Sequence, residues 1–139
     1  EAPQIELADV ERWIVRTAEV QPWDFLNAVS ARDMRRSLEL FNLLPAKSYV
    51  WTYTLLCGRI RELIVAKALD ARGQGRELAA TLKLQSWQVK NRLTWARRFS
   101  MAELVAALEG AVDVELALKG SADSQTALLL WITNILRKS

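Results

Sequence analysis

Residues 76–100 read RELAATLKLQSWQVKNRLTWARRFS. The stretch divides into a short helix, Arg76–Leu82, a tight turn, and a longer helix, Ser86–Phe99, that carries Lys90, Arg92, Arg97 and Arg98. Such a pair is either a helix-turn-helix that grips DNA or two helices of a larger bundle that holds other proteins. A helix-turn-helix needs a small residue in its first helix, usually Gly at the turn, and apolar residues at set places on the second. Ala79 serves as the small residue, but the turn position four residues on is Lys83 rather than Gly. Val89 falls at one expected apolar place; the next falls on Arg92, so Leu93 would have to stand in for it. The match is partial.

The faces of the second helix are clearer. Val89, Leu93 and Ala96 are spaced four and three apart and should point to the core. Trp87, Lys90, Asn91, Thr94, Arg97 and Arg98 fall on another face. Cations there could neutralise phosphate, and the Trp87 indole could stack on an unpaired base. The plainer reading makes Trp87 a packing residue and the cations a solvated face. Trp87, Lys90, Asn91, Arg97 and Arg98 are the candidate nucleic-acid contacts.

Outward from this pair, the chain reads as helix almost throughout. Only five Gly and three Pro occur in 139 residues, and good helix formers are plentiful. No stretch alternates convincingly as a strand, apart from a short extended piece at Gln4–Leu7. The expected helices run from Ala8 to Val20, Trp23 to Val29 behind Pro22, Ser30 to Leu44, and Ser48 to Arg72 with Gly73 just beyond. Arg76–Leu82 and Ser86–Phe99 follow, then a helix to Lys119 and a last one over Ser124–Lys138. Ser30 with Asp33 resembles a capping box with Asp where Glu or Gln is usual, and Ser100 with Glu103 is a clear one. Gly120 is placed as a left-handed terminator. Val105, Leu108, Val112 and Leu116 form one helical stripe, and Leu128, Trp131, Ile132 and Ile135 another. The expected fold is an all-α compact bundle of about six to eight helices.

Several chemistries lack their residues. There is no His, so no His base, His-ligated metal or Ser-His-Asp triad. Cys57 is the single cysteine, which excludes an internal disulfide and a cysteine zinc cluster; it reads as a small core residue and suits a reducing cytoplasm. Glu62, Asp70 and Glu77 are carboxylates with no evident catalytic pairing, and exposed helical charge explains them. No catalytic, metal or cofactor residue is proposed, and a small helical enzyme is the weakest reading. The longest strongly apolar run, Ala127–Ile132 (ALLLWI), is far too short to span a bilayer, and no signal-peptide pattern opens the chain. A start at Glu1 rather than Met points to a piece of something longer.

The net charge of +3 conceals a pattern. Residues 1–30 hold two basic and six acidic side chains, residues 31–99 fourteen and five, and residues 100–139 three and five. An anionic partner would therefore meet the middle of the chain. The last helix has a further feature: Leu129 and Leu130 lie outside its main stripe, making it apolar nearly all round. Such a helix is buried on more than one side, either at the bundle centre or against another subunit. Leu129, Leu130 and Trp131 are the subunit-interface candidates.

Five pieces of the chain occur in the order found in a known family. ARRFSMAELVAALEGAVDVELALKGSADSQTALLLWI, Ala96–Ile132, resembles the C-terminal part of the bacterial DNA polymerase III delta subunit, of the clamp-loader family. The shared pattern is a basic-aromatic helix end, a Ser cap, a helix closing on Leu-Ala-Leu-Lys-Gly, a short polar loop and a Leu/Trp helix. LLCGRIRELIVAKAL resembles the family's long helix, and ELAATLKLQSWQVKNRL its short-helix and turn segment. QPWDFLNAVSARDMRRSLELFNLL resembles the helix pair that opens the third domain, and IELADVERWI the end of the lid before it. The resemblance covers essentially the whole chain. It departs at Gln85-Ser86, where relatives often have Pro, and in its six Trp.

The resemblance implies a clamp-loader collar domain over residues 21–139, with residues 1–20 the end of an AAA+-like lid. In clamp loaders, five subunits join through helical C-terminal domains into a collar, with ATPase-like domains below. Delta opens the sliding clamp with its N-terminal domain, which would precede Glu1, and is not a working ATPase. The implied partners are the other loader subunits, delta prime and gamma/tau, in the cytoplasm. DNA would be a secondary contact at the collar, and the sliding clamp would be met only through the absent N-terminal domain. No membrane and no cofactor are implied. A stand-alone helix-turn-helix DNA-binding domain is the alternative.

Overall fold

The computed structural model describes residues 22–120 and 123–138. The expected helix Ala8–Val20 and the extended piece Gln4–Leu7 lie outside the described residues. The described residues form α1 over 22–30, α2 (Met34–Leu43), α3 (Tyr49–Ala71), α4 (Leu78–Leu82), α5 (Ser86–Ala96), α6 (Met101–Lys119) and α7 (Ser124–Leu136). Short 3-10 turns at Ala46–Ser48 and Gly75–Glu77 lead into α3 and α4, and no described residue is in a strand. The all-α bundle expected from the sequence is the fold observed.

The 23-residue α3 is the axis. Helices α5, α6 and α7 pack against it, and α6 and α7 against each other. Phe25 and Leu26 of α1 join Phe41, Leu56, Leu78, Leu104, Leu128 and Ile132 in an almost solvent-free core. The Phe41 ring stacks on Tyr49 at 5.6 Å and tilts against Phe25 at 6.2 Å. Full burial of such a side chain contributes roughly 1.5–3 kcal/mol, so these contacts hold α1, α2 and the start of α3 together.

The helix ends follow local chemistry, with two corrections. The Ser100 hydroxyl accepts from Glu103 N at 3.0 Å while the Glu103 carboxylate accepts from Ser100 N at 2.8 Å, completing the expected box. Asp33, rather than Ser30, caps α2 by accepting from Arg36 N at 3.1 Å. Ser30 instead lies buried in the last turn of α1 and donates to Leu26 O at 2.7 Å. Gly73 is left-handed at φ 70°, as expected after α3. Gly120 is not: its φ of −101° is extended, and it is tight for a different reason, since a Cβ there would sit 3.2 Å from Leu116 O.

Two non-glycine residues share the left-handed conformation, Arg32 at φ 60° and Lys83 at φ 56°. Beyond α1, Asp33 N bonds to Ala28 O at 3.0 Å and Arg32 N to Val29 O at 2.9 Å. Beyond α3, Gln74 N bonds to Leu69 O at 2.8 Å and Gly73 N to Asp70 O at 3.0 Å. Both are Schellman closures, in which the left-handed residue turns the chain so that two orphan carbonyls find donors. Glycine is the usual occupant because it carries no Cβ penalty.

The stripe on α6 is displaced from its expected place. Leu104, Ala107, Ala111 and Val114 enter the core, whereas Val105, Val112 and Leu116 are exposed and Leu108 is half-buried. Val, Leu and Ala occupy both faces of α6, so helical spacing alone could not choose between them. On α7 the expected stripe Leu128, Trp131, Ile132 and Ile135 is buried. This removes Trp131 from the surface: it is 5% exposed, its indole N–H donates to Ala107 O at 2.8 Å, and its ring meets Tyr53 at 5.4 Å. Gly110 makes the room, since a Cβ there would lie 3.3 Å from Trp131 Cδ1.

Candidate functional site

The molecule presents two surfaces of different character. The first belongs to α6 and α7, which supply core residues on one side and apolar residues to solvent on the other. Val112 is 61% exposed, Leu116 65% and Leu130 61%, with Val105 and Leu129 less so. Val50 of α3 lines a shallow groove with Glu115, Leu118 and Lys119 at the C-terminal end of α6. Single exposed apolar residues are ordinary on a protein surface, whereas several along neighbouring helices mark a contact surface. Leu129 and Leu130 are thus on the outside, and Trp131 is not.

The second surface lies between α1 and α5. The structure brings Trp87 and Asn91 together with Trp23, Asn27, Gln88 and Trp95 around a groove of about 230 Å³ floored by Arg59 and Arg92. Gln88 also orders the start of α5, its side-chain oxygen accepting from Gln85 N at 2.9 Å. Lys90 is exposed on α5 but does not line the groove. Arg97 and Arg98 stand apart from the groove, at the far end of the helix. Arg97 is engaged by Asp70 through two bonds of 3.0 Å, which hold the Asp70 carboxyl below its usual range and raise the guanidinium. Of the five nucleic-acid candidates, Trp87 and Asn91 share one site; the other three do not join them.

Arg59 and Arg92 were the residues that pattern reasoning missed. Arg59 is 4% exposed and Arg92 7%. Their Nε atoms reach the same oxygen of Glu62, at 3.5 and 3.0 Å. Arg59 Nη1 donates to Asn27 Oδ1 and to the Ser30 hydroxyl, both at 3.0 Å. The Trp95 ring lies 5.0 Å from one guanidinium carbon and 5.6 Å from the other. Burial, and then the neighbouring Arg92 cation, lower Arg59 to about 10, against the pull of Glu62. Arg59 remains charged at neutral pH. The available signal was an Arg–Glu pair three apart inside an apolar helix, but on a surface helix the same pair means little.

A third charged cluster borders a groove of about 360 Å³ lined by Arg32, Glu103, Trp131, Ile135 and Arg137. Arg32 forms a two-pronged pair with Glu103 at 2.7 and 3.1 Å and donates to Arg98 O at 2.8 Å, Arg137 O at 2.9 Å and Ile135 O at 3.4 Å. Its guanidinium also lies 4.3 Å above the Phe99 ring. It joins the α1–α2 turn to the α5–α6 junction and the end of α7.

Glu62 and Asp70 are committed to arginines, and burial pushes the Cys57 thiol up, keeping it protonated. Among the described residues no group of three His, Cys, Asp or Glu side chains is placed to hold a metal, and no helix is long and apolar enough to cross a membrane. The DNA-reader geometry is poor: α4 has five residues, and Arg92, at an expected apolar position, is buried against Glu62.

Comparison with known proteins gives a consistent result. The chain is 26% identical over 140 residues to the DNA polymerase III subunit delta of Bacillus subtilis (strain 168), an alignment covering 98% of this chain. Its structure is similar to that of the Bacillus subtilis DNA clamp loader delta protein, with a TM-score of 0.73 and 25% identity over 95% of this chain. In both cases the chain spans 40% of the relative's length. The family described as DNA polymerase III delta subunit, C-terminal domain, matches residues 19–135. With the helical bundle and its order of elements in agreement, the chain belongs to the family formed by the C-terminal domains of DNA polymerase III delta subunits.

Proposed function

We propose that this domain is a collar module that fixes a delta-type subunit in its place within a clamp loader, without catalysing a reaction itself. Residues 21–139 form the collar and residues 1–20 end the preceding lid. The partners are the helical domains of other loader subunits, of the delta prime and gamma/tau kinds, in the cytoplasm. The sliding clamp is met by a different part of the delta subunit.

The observation that carries this reading is the double-faced character of α6 and α7, whose outer sides expose Val112, Leu116 and Leu130. Obligate assemblies bury about 2,000–5,000 Å² in interfaces with apolar centres. Leu129 and Leu130 belong to such a centre, and Trp131 supports it from beneath. The test is Leu130→Asp with Leu116→Asp in a full-length delta subunit, followed by co-purification with the other loader subunits. Loss of association with an unchanged circular dichroism spectrum supports the reading; full retention overturns it.

DNA is a secondary contact. The exposed Trp87 indole, with Asn91 beside it and Lys90 on the same helix, suits an unpaired strand passing the collar. Arg98 can add charge at the far end of α5, while Arg97 contributes less because Asp70 already neutralises it. Trp87→Ala should weaken single-strand binding by the assembled loader; an unchanged affinity returns Trp87 to a packing role.

A further inference from the structure

The outer face of α6 and α7 carries opposite charges in two separate places. Arg98, at the α5–α6 junction, and Arg137 and Lys138, just past α7, are exposed at one end. These basic residues lie close together, because the Arg32 guanidinium bonds to the carbonyl oxygens of both Arg98 and Arg137, at 2.8 and 2.9 Å. Glu109 and Asp113 are exposed further along α6. None of these five side chains has an ion-pair partner among the described residues. Helical spacing sets Ala102, Ala106, Glu109, Asp113 and Leu116 on one side of α6, with the exposed Val105 and Val112 beside them. Ala102, Ala106 and Gly110 keep the surface low where α6 meets the groove against α7.

Such a face is complementary to itself. Asp113 lies about 16 Å along the α6 axis from Ala102, so the basic end and the acidic stretch are well separated. A two-fold axis perpendicular to α6 sets two copies of the helix antiparallel, and every contact of one residue with another is then made twice. The basic end of each copy comes beside the acidic stretch of the other, and the apolar side chains between them meet. The small Ala102 and Ala106 let the second helix approach closely. A uniformly acidic partner would satisfy Arg98 and Arg137 but be repelled by Glu109 and Asp113, and a uniformly basic one would fail at the opposite end.

We propose that this face pairs with a second copy of the chain when no other loader subunit covers it, with α6 antiparallel to α6 and Arg98 of each copy facing Asp113 of the other. The pairing shields Val105, Val112 and Leu116 from water. It goes beyond the collar reading, with which it shares a face, and stands or falls separately from it.

The test is sedimentation velocity of the full-length delta subunit alone, over a range of protein concentrations at low salt. A dimer forming in the micromolar range is expected. Arg98→Glu and Asp113→Arg should each weaken it at least about 10-fold, since each sets like charges face to face at two symmetric places. An equimolar mixture of the two variants should dimerise again. In the mixed pair each changed side chain meets an opposite charge, and so do the Arg98 and Asp113 left unchanged. Both substitutions in one chain should restore the dimer for the same reason, which supplies a second measurement if either single variant does not fold. Arg35→Glu, at an exposed cation on α2, should leave the dimer as it is. A monomer at every concentration overturns the proposal. So does a dimer that both single variants leave intact, or one that neither the mixture nor the double variant restores. If co-purification with the other loader subunits persists in those cases, the collar reading survives without the self-pairing. If Leu116→Asp with Leu130→Asp leaves that co-purification intact while the mixture still dimerises, the collar surface fails and the self-pairing stands.

Discussion

Arg32 and the Arg59–Arg92 pair are both buried cationic clusters at helix junctions, yet they are built to opposite ends. Among the described residues, Arg32 meets one carboxylate and three carbonyl oxygens, with its guanidinium above the Phe99 ring. Arg59 and Arg92 set two guanidiniums on one carboxylate, and each cluster borders a groove. The first ties helices together through many bonds from one cation. The second shares one carboxylate between two cations. The difference lies in the count of partners, since the residue types are the same.

Five substitutions would break or sharpen that contrast. The largest effect is expected at Arg32. Arg32→Gln removes the two-pronged ion pair with Glu103 and leaves carbonyls without their guanidinium donor, so the urea midpoint should fall by an amount equivalent to about 3–5 kcal/mol. Glu62→Gln should cost less, about 1–3 kcal/mol, because Arg59 keeps its bonds to Asn27 and Ser30. If Glu62 proves the more costly of the two, the contrast between the many-bonded Arg32 and the shared carboxylate is wrong.

The third change separates side chain from backbone. Lys83→Gly places the preferred residue in a left-handed turn and should raise stability by up to about 1 kcal/mol. Arg32→Gly relieves the same conformation and should nonetheless destabilise, because the Glu103 pair is lost. Thermal shifts of opposite sign for these two would support the view that Arg32 is kept for its side chain.

The smallest effect concerns pH. Hydrogen bonding to Arg97 holds Asp70 below its ordinary value of 3.8. A carboxyl depressed on folding contributes stability that is present above the unfolded value and lost as pH falls through the folded one. The parent should therefore lose denaturant resistance more steeply below pH 4 than Arg97→Gln. Both side chains are partly exposed, so the difference will shrink in salt.

The parts of the fold legible in the sequence were those encoded by short-range chemistry. The Ser100–Glu103 box, the glycine at 73 and the buried stripe of α7 follow from neighbours within one helical turn. Legibility failed where two local solutions were equivalent. Asp33 and Ser30 are both good caps, and the choice fell to Asp33 because Ser30 is needed by Leu26 and Arg59. Either face of α6 could have been the core; Gly110 and Ala107 decided it by admitting Trp131. For the candidate sites, Trp87 and Asn91 were visible as one face of α5. Trp23, sixty-four residues away in sequence, was not, because nothing local links it to them.

The amino-acid sequence by itself determined the helical class, most helix boundaries, the absence of histidine and zinc-cluster chemistry, and the order of segments that marks the family. These depend on composition and on contacts within a few residues. Only the tertiary structure decided which apolar face remained outside, that Trp131 lies inside, and that Arg59 and Arg92 share a single carboxylate beneath two exposed tryptophans. Those outcomes depend on which helices meet, and the energy of a meeting is a property of two distant segments together, absent from either one read alone.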